Sequence, residues 1–140
     1  VSENRITTVP EDFDPEIAAL MGCAVTTGLG VINNNAKLKI GESVVIWGAG
    51  GIGLSIVQGA AMVSANPIIA IDLHDHKLQI AKDLGATHTI NANKTNPIDE
   101  ILKKNLVMKN LKSKEYHIVS FYAGTTAALA VYFSMTFPQN

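Results

Sequence analysis

The sequence predicts an α/β chain: a doubly wound parallel sheet held between helices in three layers. Three observations lead there. From residue 43 onward, short β-branched apolar runs alternate with helix-period segments, and strands joined by helices pair in parallel through right-handed crossovers. Residues 17–36, 43–71 and 116–140 contain no Asp, Glu, Lys or Arg, as expected of strands covered on both faces. A glycine-rich turn, Gly48-Ala49-Gly50-Gly51-Ile52-Gly53, follows the first strand directly and opens a helix.

The elements follow in order. Asp14-Pro15 supplies an N-cap and a first-turn proline, which starts a short helix ending near Met21-Gly22. A second helix is expected over residues 25–34, closed by Asn33-Asn34-Asn35. Residues 43–47 are β-branched and aromatic and read as a buried strand. Residues 52–63 have helical period, with Ser55, Gly59, Ala60 and Ala61 small enough to approach a sheet. Pro67 ends that segment, and residues 68–71 form the second strand. Residues 75–84 read as a helix stopped by Gly85, and 87–90 as a short strand leading into the loop 91–96. Pro97 begins a helix with early acids and later lysines, the order its dipole favours. Residues 116–122 are expected as a fourth strand and 125–135 as a last helix. The chain then stops in the loop Phe137-Pro138-Gln139-Asn140.

Composition narrows the function. The chain has 140 residues, room for one ordinary domain, with a net charge of −1 from 11 basic and 12 acidic residues. Such a balance gives no hold on nucleic acid or an anionic membrane. The lysines 103, 104, 109, 112 and 114 read as a solvated helix face. The charge-free segments reach bilayer-spanning length, but Thr26-Thr27-Gly28, Asn33-Asn34-Asn35, Gly48–Gly51, Asn66-Pro67 and Gly124-Thr125-Thr126 divide them into strand- and helix-sized pieces. No membrane partner is expected. One cysteine excludes an internal disulfide, and four histidines with it are a thin supply for a self-contained metal site. No secretory signal is visible, so a cytoplasmic location is expected. The start at Val1 points to a processed product or a fragment.

The chemistry concentrates in the glycine turn. Its pattern is G-x-G-x-x-G between a strand and a helix, the context a dinucleotide fingerprint requires. Gly48 permits the tight turn, Gly50 lets a pyrophosphate approach the backbone, and Gly53 lets the helix sit close on the strands. Free N–H groups and the helix dipole would receive the phosphates. Asp72 lies 19 residues after Gly53 and closes the second strand. There a carboxylate accepts hydrogen bonds from ribose hydroxyls and repels a 2′-phosphate, so NAD is expected over NADP. Lys77 is near enough in sequence to reach the same ribose. His74 and His76 flank Asp75 and read as polar surface rather than metal ligands. His88 and His117 read as structural. Cys23, taken alone, reads as a small buried side chain.

Together these residues resemble a family. Gly22-Cys23-Ala24-Val25-Thr26-Thr27-Gly28, Gly48–Gly53, Ile69–Asp72, Lys77 and Gly85-Ala86-Thr87, in that order, look like the coenzyme-binding (Rossmann) domain of zinc-dependent medium-chain alcohol dehydrogenases. The resemblance is close over residues 5–102 and loose beyond. It implies that Cys23 corresponds to one ligand of the catalytic zinc. It places Thr27 beside the nicotinamide ring and Ile52 behind it. Gly48, Gly50, Gly51 and Gly53 would form the pyrophosphate loop, and Asp72, Leu73 and Lys77 the adenosine-ribose site. In such enzymes zinc acidifies the alcohol, and the alkoxide releases hydride to the ring.

Departures from the family pattern set the remaining expectations. The other two zinc ligands, one Cys and one His, belong to a catalytic domain that these 140 residues do not contain. There is no G-H-E motif and no four-cysteine lobe, and Phe121 stands where an acid is common. About two strands of the family's sheet are missing, so the sheet is expected to be C-terminally incomplete. The expected organisation is a single domain, with a helical lead-in over residues 1–40 and the dinucleotide-binding part over 41–140. The expected function is the NAD-binding domain of a zinc-dependent alcohol dehydrogenase, with an alcohol or aldehyde substrate and a homo-oligomeric parent allowed. This chain alone would be inactive. The alternatives are a zinc-free quinone or enoyl reductase relative, a truncated nucleotide-binding module without catalysis, and a methyltransferase.

Overall fold

The computed structural model describes residues 2–103 and the backbone of two further strands, 116–122 and 129–135. A helical stretch of 22 residues, Pro15–Ala36, comes first. It comprises α1 (Pro15–Leu20), a π-helical turn at Met21–Val25, α2 (Thr26–Gly30) and a second π-helical turn at Val31–Ala36. Asp14 caps it as expected, accepting from the Glu16 N–H at 2.8 Å.

The two helices expected here are therefore one. Gly22 and the asparagines are carried inside it, because burial of Val31, Ile32 and Ala36 against the rest of the protein outweighs their weak helix preference. Lys37, with φ of 49°, ends the stretch in the left-handed region. By length and composition alone this stretch could cross a membrane, and 17% of its most apolar window is buried.

The sheet then builds by alternation. β1 (Val44–Trp47) leads to α3 (Gly51–Met62), β2 (Ile68–Asp72) to α4 (Asp75–Asp83), and β3 (His88–Asn91) to α5 (Pro97–Lys103). With β4 (Tyr116–Tyr122) and β5 (Leu129–Met135), the strand order is β3-β2-β1-β4-β5. β1 pairs in parallel with β2, Val44 opposite Ile68, and with β4, Val44 opposite His117. β2 pairs in parallel with β3, Ile69 opposite His88. The order reverses at β1, which creates a topological switch point beyond its carboxyl end.

Two departures occur at the C-terminal side. Residues 129–135 form a strand antiparallel to β4, with Tyr116 opposite Met135, where a helix was expected. Val131, Tyr132 and Phe133 favour the extended backbone. Six residues separate the two strands, and a parallel crossover needs about a dozen. The sheet is thus parallel over β1–β4 and antiparallel at its β5 edge. The lysines 104, 109, 112 and 114 lie outside the described residues, as does the terminal loop.

Alternation along the strands makes two apolar faces. Val44 and Ile46 of β1, with Ile68 and Ala70 of β2, face a core completed by Ile56, Val57 and Ala60 of α3, Leu78 and Ala81 of α4, and Val31 and Ile32. Val45, Ile69, Ile71 and Ile90 occupy the opposite face, with Ile101 of α5 against them. Burying each Ile is worth about 2–3 kcal/mol. The lead-in helix shares the first of these cores and is not a separate body. It comes close at Gly28, where a Cβ would fall 2.5 Å from Ser55 Cβ and 2.9 Å from the Ile56 nitrogen.

Candidate functional site

The site begins where β1 runs out. Gly48 leaves the strand with φ of 104°, a conformation that suits glycine. Its N–H still donates to the Ile71 carbonyl at 2.8 Å, so the ladder continues one residue past the strand. The next amide, Ala49, donates instead to Asp72 Oδ2 at 2.8 Å. Gly50 then starts α3 as its N-cap, without a side-chain cap, and the first helical bond runs from the Leu54 N–H to the Gly50 carbonyl. The amides of residues 51–53 precede that ladder and are the orphan donors of a helix start.

Two glycines in this turn differ in surroundings. A Cβ on Gly53 would fall 1.8 Å from the Gly48 carbonyl oxygen, so α3 starts against the backbone of the turn itself. A Cβ on Gly50 would meet nothing within 4 Å. Gly50 therefore borders open space at the start of α3. A ligand that needs backbone contact has room there, beside a helix start whose free amides suit an anion.

Asp72, half-buried at the end of β2, is bound from several sides. Oδ2 takes the Ala49 amide, Oδ1 takes the His74 amide at 3.0 Å, and its carbonyl takes the Ala92 amide at 3.0 Å. Burial pushes the carboxyl pKa up. The Ala49 and His74 amides, the Lys77 charge and the Leu73 amide outweigh that and hold it below the ordinary value. Leu73 is 52% exposed beside it. Asp75 opens α4 and binds Lys94 Nζ at 2.8 Å and Asn91 Nδ2 at 2.7 Å. His74 and His76 lie with ring centroids 5.6 Å apart at the surface.

The turn carrying Cys23 lies beside the glycine loop, since a Cβ on Gly51 would rest 3.7 Å from Ala24 Cβ. Cys23 is exposed, contrary to the expectation of a buried thiol: in its turn Ala24 and Val25 take the half-buried positions and Cys23 the outer one. Thr27 is exposed on the next turn, and Ile52 packs in part against the first core. Among the described residues, no three His, Cys, Asp or Glu side chains gather as a metal site. An open groove lined by Leu38, Ile40, Met62 and Val63 precedes β1 and β2 at the other end of the sheet and has no part in this site.

The pairing of Asp72 with Ala49 was not foreseen, although Asp72 itself was. Its signal in sequence is faint: a carboxylate at a strand end with a bare amide 23 residues earlier. Asn96 starts α5 in a local manner, its Oδ1 accepting from the Ile98 N–H at 3.1 Å.

Strand order, switch point and glycine turn define the Rossmann class of α/β proteins. The sequence profile of the zinc-binding dehydrogenases matches residues 51–139, and the chain belongs to that family. It is 42% identical over 103 residues to S-(hydroxymethyl)glutathione dehydrogenase of Photobacterium damsela subsp. piscicida, covering 73% of this chain and 28% of that protein. The Haemophilus influenzae enzyme of the same name is also 42% identical, with 27% of its length covered. The chain spans little more than a quarter of these relatives. Among solved structures, benzyl alcohol dehydrogenase from Acinetobacter calcoaceticus superposes with a TM-score of 0.65 at 38% identity, over 69% of this chain and 27% of that one. An alcohol dehydrogenase from Thermus sp. ATN1 gives 0.64 at 32% identity, over 72% and 29%.

Proposed function

We propose that this chain is the NAD-binding portion of a zinc-dependent alcohol dehydrogenase, with its dinucleotide lying across the carboxyl ends of β1 and β2. The observation that carries the reading is the Gly48–Gly53 turn opening α3 with the Asp72 carboxylate at its side. In this reading the amides of residues 51–53 receive the pyrophosphate over Gly50, whose face is open. Asp72 and Lys77 face the adenosine ribose, with Leu73 beside the base. Thr27 and Ile52 border the nicotinamide, and Cys23 supplies one zinc ligand. A bound nicotinamide cofactor would supply the hydride acceptor.

NAD is favoured over NADP on charge. The Asp72 carboxylate is ionised at neutral pH and would meet a 2′-phosphate carrying about two negative charges. The substrate class is an alcohol or aldehyde, supported by the names of the relatives and by family membership. The lead-in over residues 1–40 and the part over 41–140 are read as one domain, supported by the core that the lead-in helix shares. The reading takes Pro15–Ala36 as a core-packing helix of a cytoplasmic protein, supported by the burial of Gly28, Val31, Ile32 and Ala36.

The test is a competition titration of NAD and NADP on the 140-residue chain. NAD is expected to bind at least about tenfold tighter, or roughly 1.4 kcal/mol. Equal affinities, or no binding of either to folded protein, would sink the proposal.

A further inference from the structure

We infer that Asp72 has a second task, as the positioning residue that fixes the glycine turn through the Ala49 amide, in addition to facing the ribose. The inference deepens the dinucleotide reading above, and the clamp itself can be judged without any ligand.

The geometry narrows the choice of acceptor for Ala49. This residue is 1% exposed, so water does not serve its amide freely. The amide before it is taken by the Ile71 carbonyl, and Ala49 itself is held by Asp72 Oδ2 at 2.8 Å. Without that oxygen a buried N–H would be left unpaired, which proteins avoid. Asp72 is in turn held by the His74 amide on Oδ1 and by the Ala92 amide on its carbonyl. The carboxylate is thereby anchored to the exit of its own strand and to the neighbouring strand.

The consequence reaches the phosphate cradle. Gly48 and Ala49 share one peptide plane, with the Gly48 carbonyl on one side and the Ala49 N–H on the other. The carbonyl packs against Gly53, and the N–H is fixed by Asp72. That plane sets the direction in which Gly50 and the first amides of α3 follow. The carboxylate has about four acceptor sites, of which the Ala49 amide takes one on Oδ2, the His74 amide takes one on Oδ1, and the Leu73 amide also acts on the group. Acceptor capacity remains for a ribose hydroxyl, so the two tasks are compatible.

The two roles separate with a probe that has no ribose. Asp72→Ala removes a negative charge near the cradle, which by charge alone should tighten inorganic pyrophosphate. The clamp requires the reverse, a weakening of at least about fivefold. Amide exchange at Ala49 should accelerate at least about tenfold, with Val45 and Ile46 as protected as before. Unchanged Ala49 exchange in a folded Asp72→Ala chain, or tighter pyrophosphate binding, would overturn the inference. If that variant does not fold, the unaltered protein decides. Its Ala49 amide proton shift should titrate together with the Asp72 carboxyl carbon, and two independent titrations would overturn it. Failure of the unaltered chain to bind NAD defeats the dinucleotide reading and leaves the exchange and titration results to judge the clamp.

Discussion

Replacing Gly53 and Gly50 separately by alanine should divide stability from binding. In Gly53→Ala the new Cβ would fall 1.8 Å from the Gly48 carbonyl oxygen, where real contacts stay above 3.0 Å. Helix start and turn must part by about 1.2 Å in a packed region, which costs about 1–3 kcal/mol or somewhat more. Alanine recovers about 0.5–1 kcal/mol of helix propensity, less in a first turn, so a net loss of about 1–2 kcal/mol remains. Urea unfolding followed by circular dichroism should register that loss. A thermal midpoint should fall by about 4–8 °C.

Gly50→Ala is the contrast. Gly50 has φ of −83°, and its Cβ would meet no protein atom within 4 Å, so stability should change by less than about 0.5 kcal/mol. Under the proposed dinucleotide reading that methyl would occupy the space of the pyrophosphate, so NADH affinity should fall at least about tenfold. Trp47, the sole tryptophan, is 39% exposed just before the turn, and energy transfer from it to NADH provides the readout. Equal stability loss in both variants, or unchanged NADH binding in folded Gly50→Ala, would refute this division.

Acid should act through Asp72: its folded pKa lies below the ordinary value, so its stabilisation is complete above about pH 5 and disappears as pH falls through the lowered pKa. Acid unfolding curves should therefore diverge between the wild type and Asp72→Asn as pH falls below about 5 and run parallel above it; identical slopes would contradict the reasoning. Gly28→Ala should cost about 1–3 kcal/mol in urea unfolding, since its Cβ would press on Ser55 Cβ and the Ile56 nitrogen. Unaltered stability would show that the two helices are not in backbone contact. Elemental analysis should find no stoichiometric zinc, because Cys23 is one donor where a catalytic site takes about three protein ligands. One tightly held zinc per chain, lost in Cys23→Ser, would reveal a site not anticipated.

Strands β1 to β4 were legible because their signals are local: β-branched runs, flanking glycines and a helix-period segment after each of the first three. The glycine turn and Asp72 were legible for the same reason, as spacing and residue type. Three features were not. Residues 129–135 combine a helix-tolerant start, Leu129-Ala130, with strand-favouring Val131, Tyr132 and Phe133, and pairing with β4 decides between them. Gly22 and Asn33-Asn34-Asn35 read locally as helix breaks, yet the contact of Gly28, Val31 and Ile32 with the core carries the helix through. The Asp72–Ala49 bond joins residues 23 apart, and neither side of it shows in a local window.

The approach at Gly28 bears on mechanical tolerance. Contacts made by side-chain ends relax by changing rotamer, so two helices joined that way can slide by fractions of an ångström at little cost. At Gly28 the backbone of one helix meets the Ser55 Cβ and Ile56 backbone of the other, with no rotatable group between them. Five residues earlier on the same helical stretch stands Cys23, and four residues before Ser55 stands Gly51, the first residue of α3. The joint has no slack. A shift of one helix against the other at this point meets backbone rather than a rotamer that could turn aside.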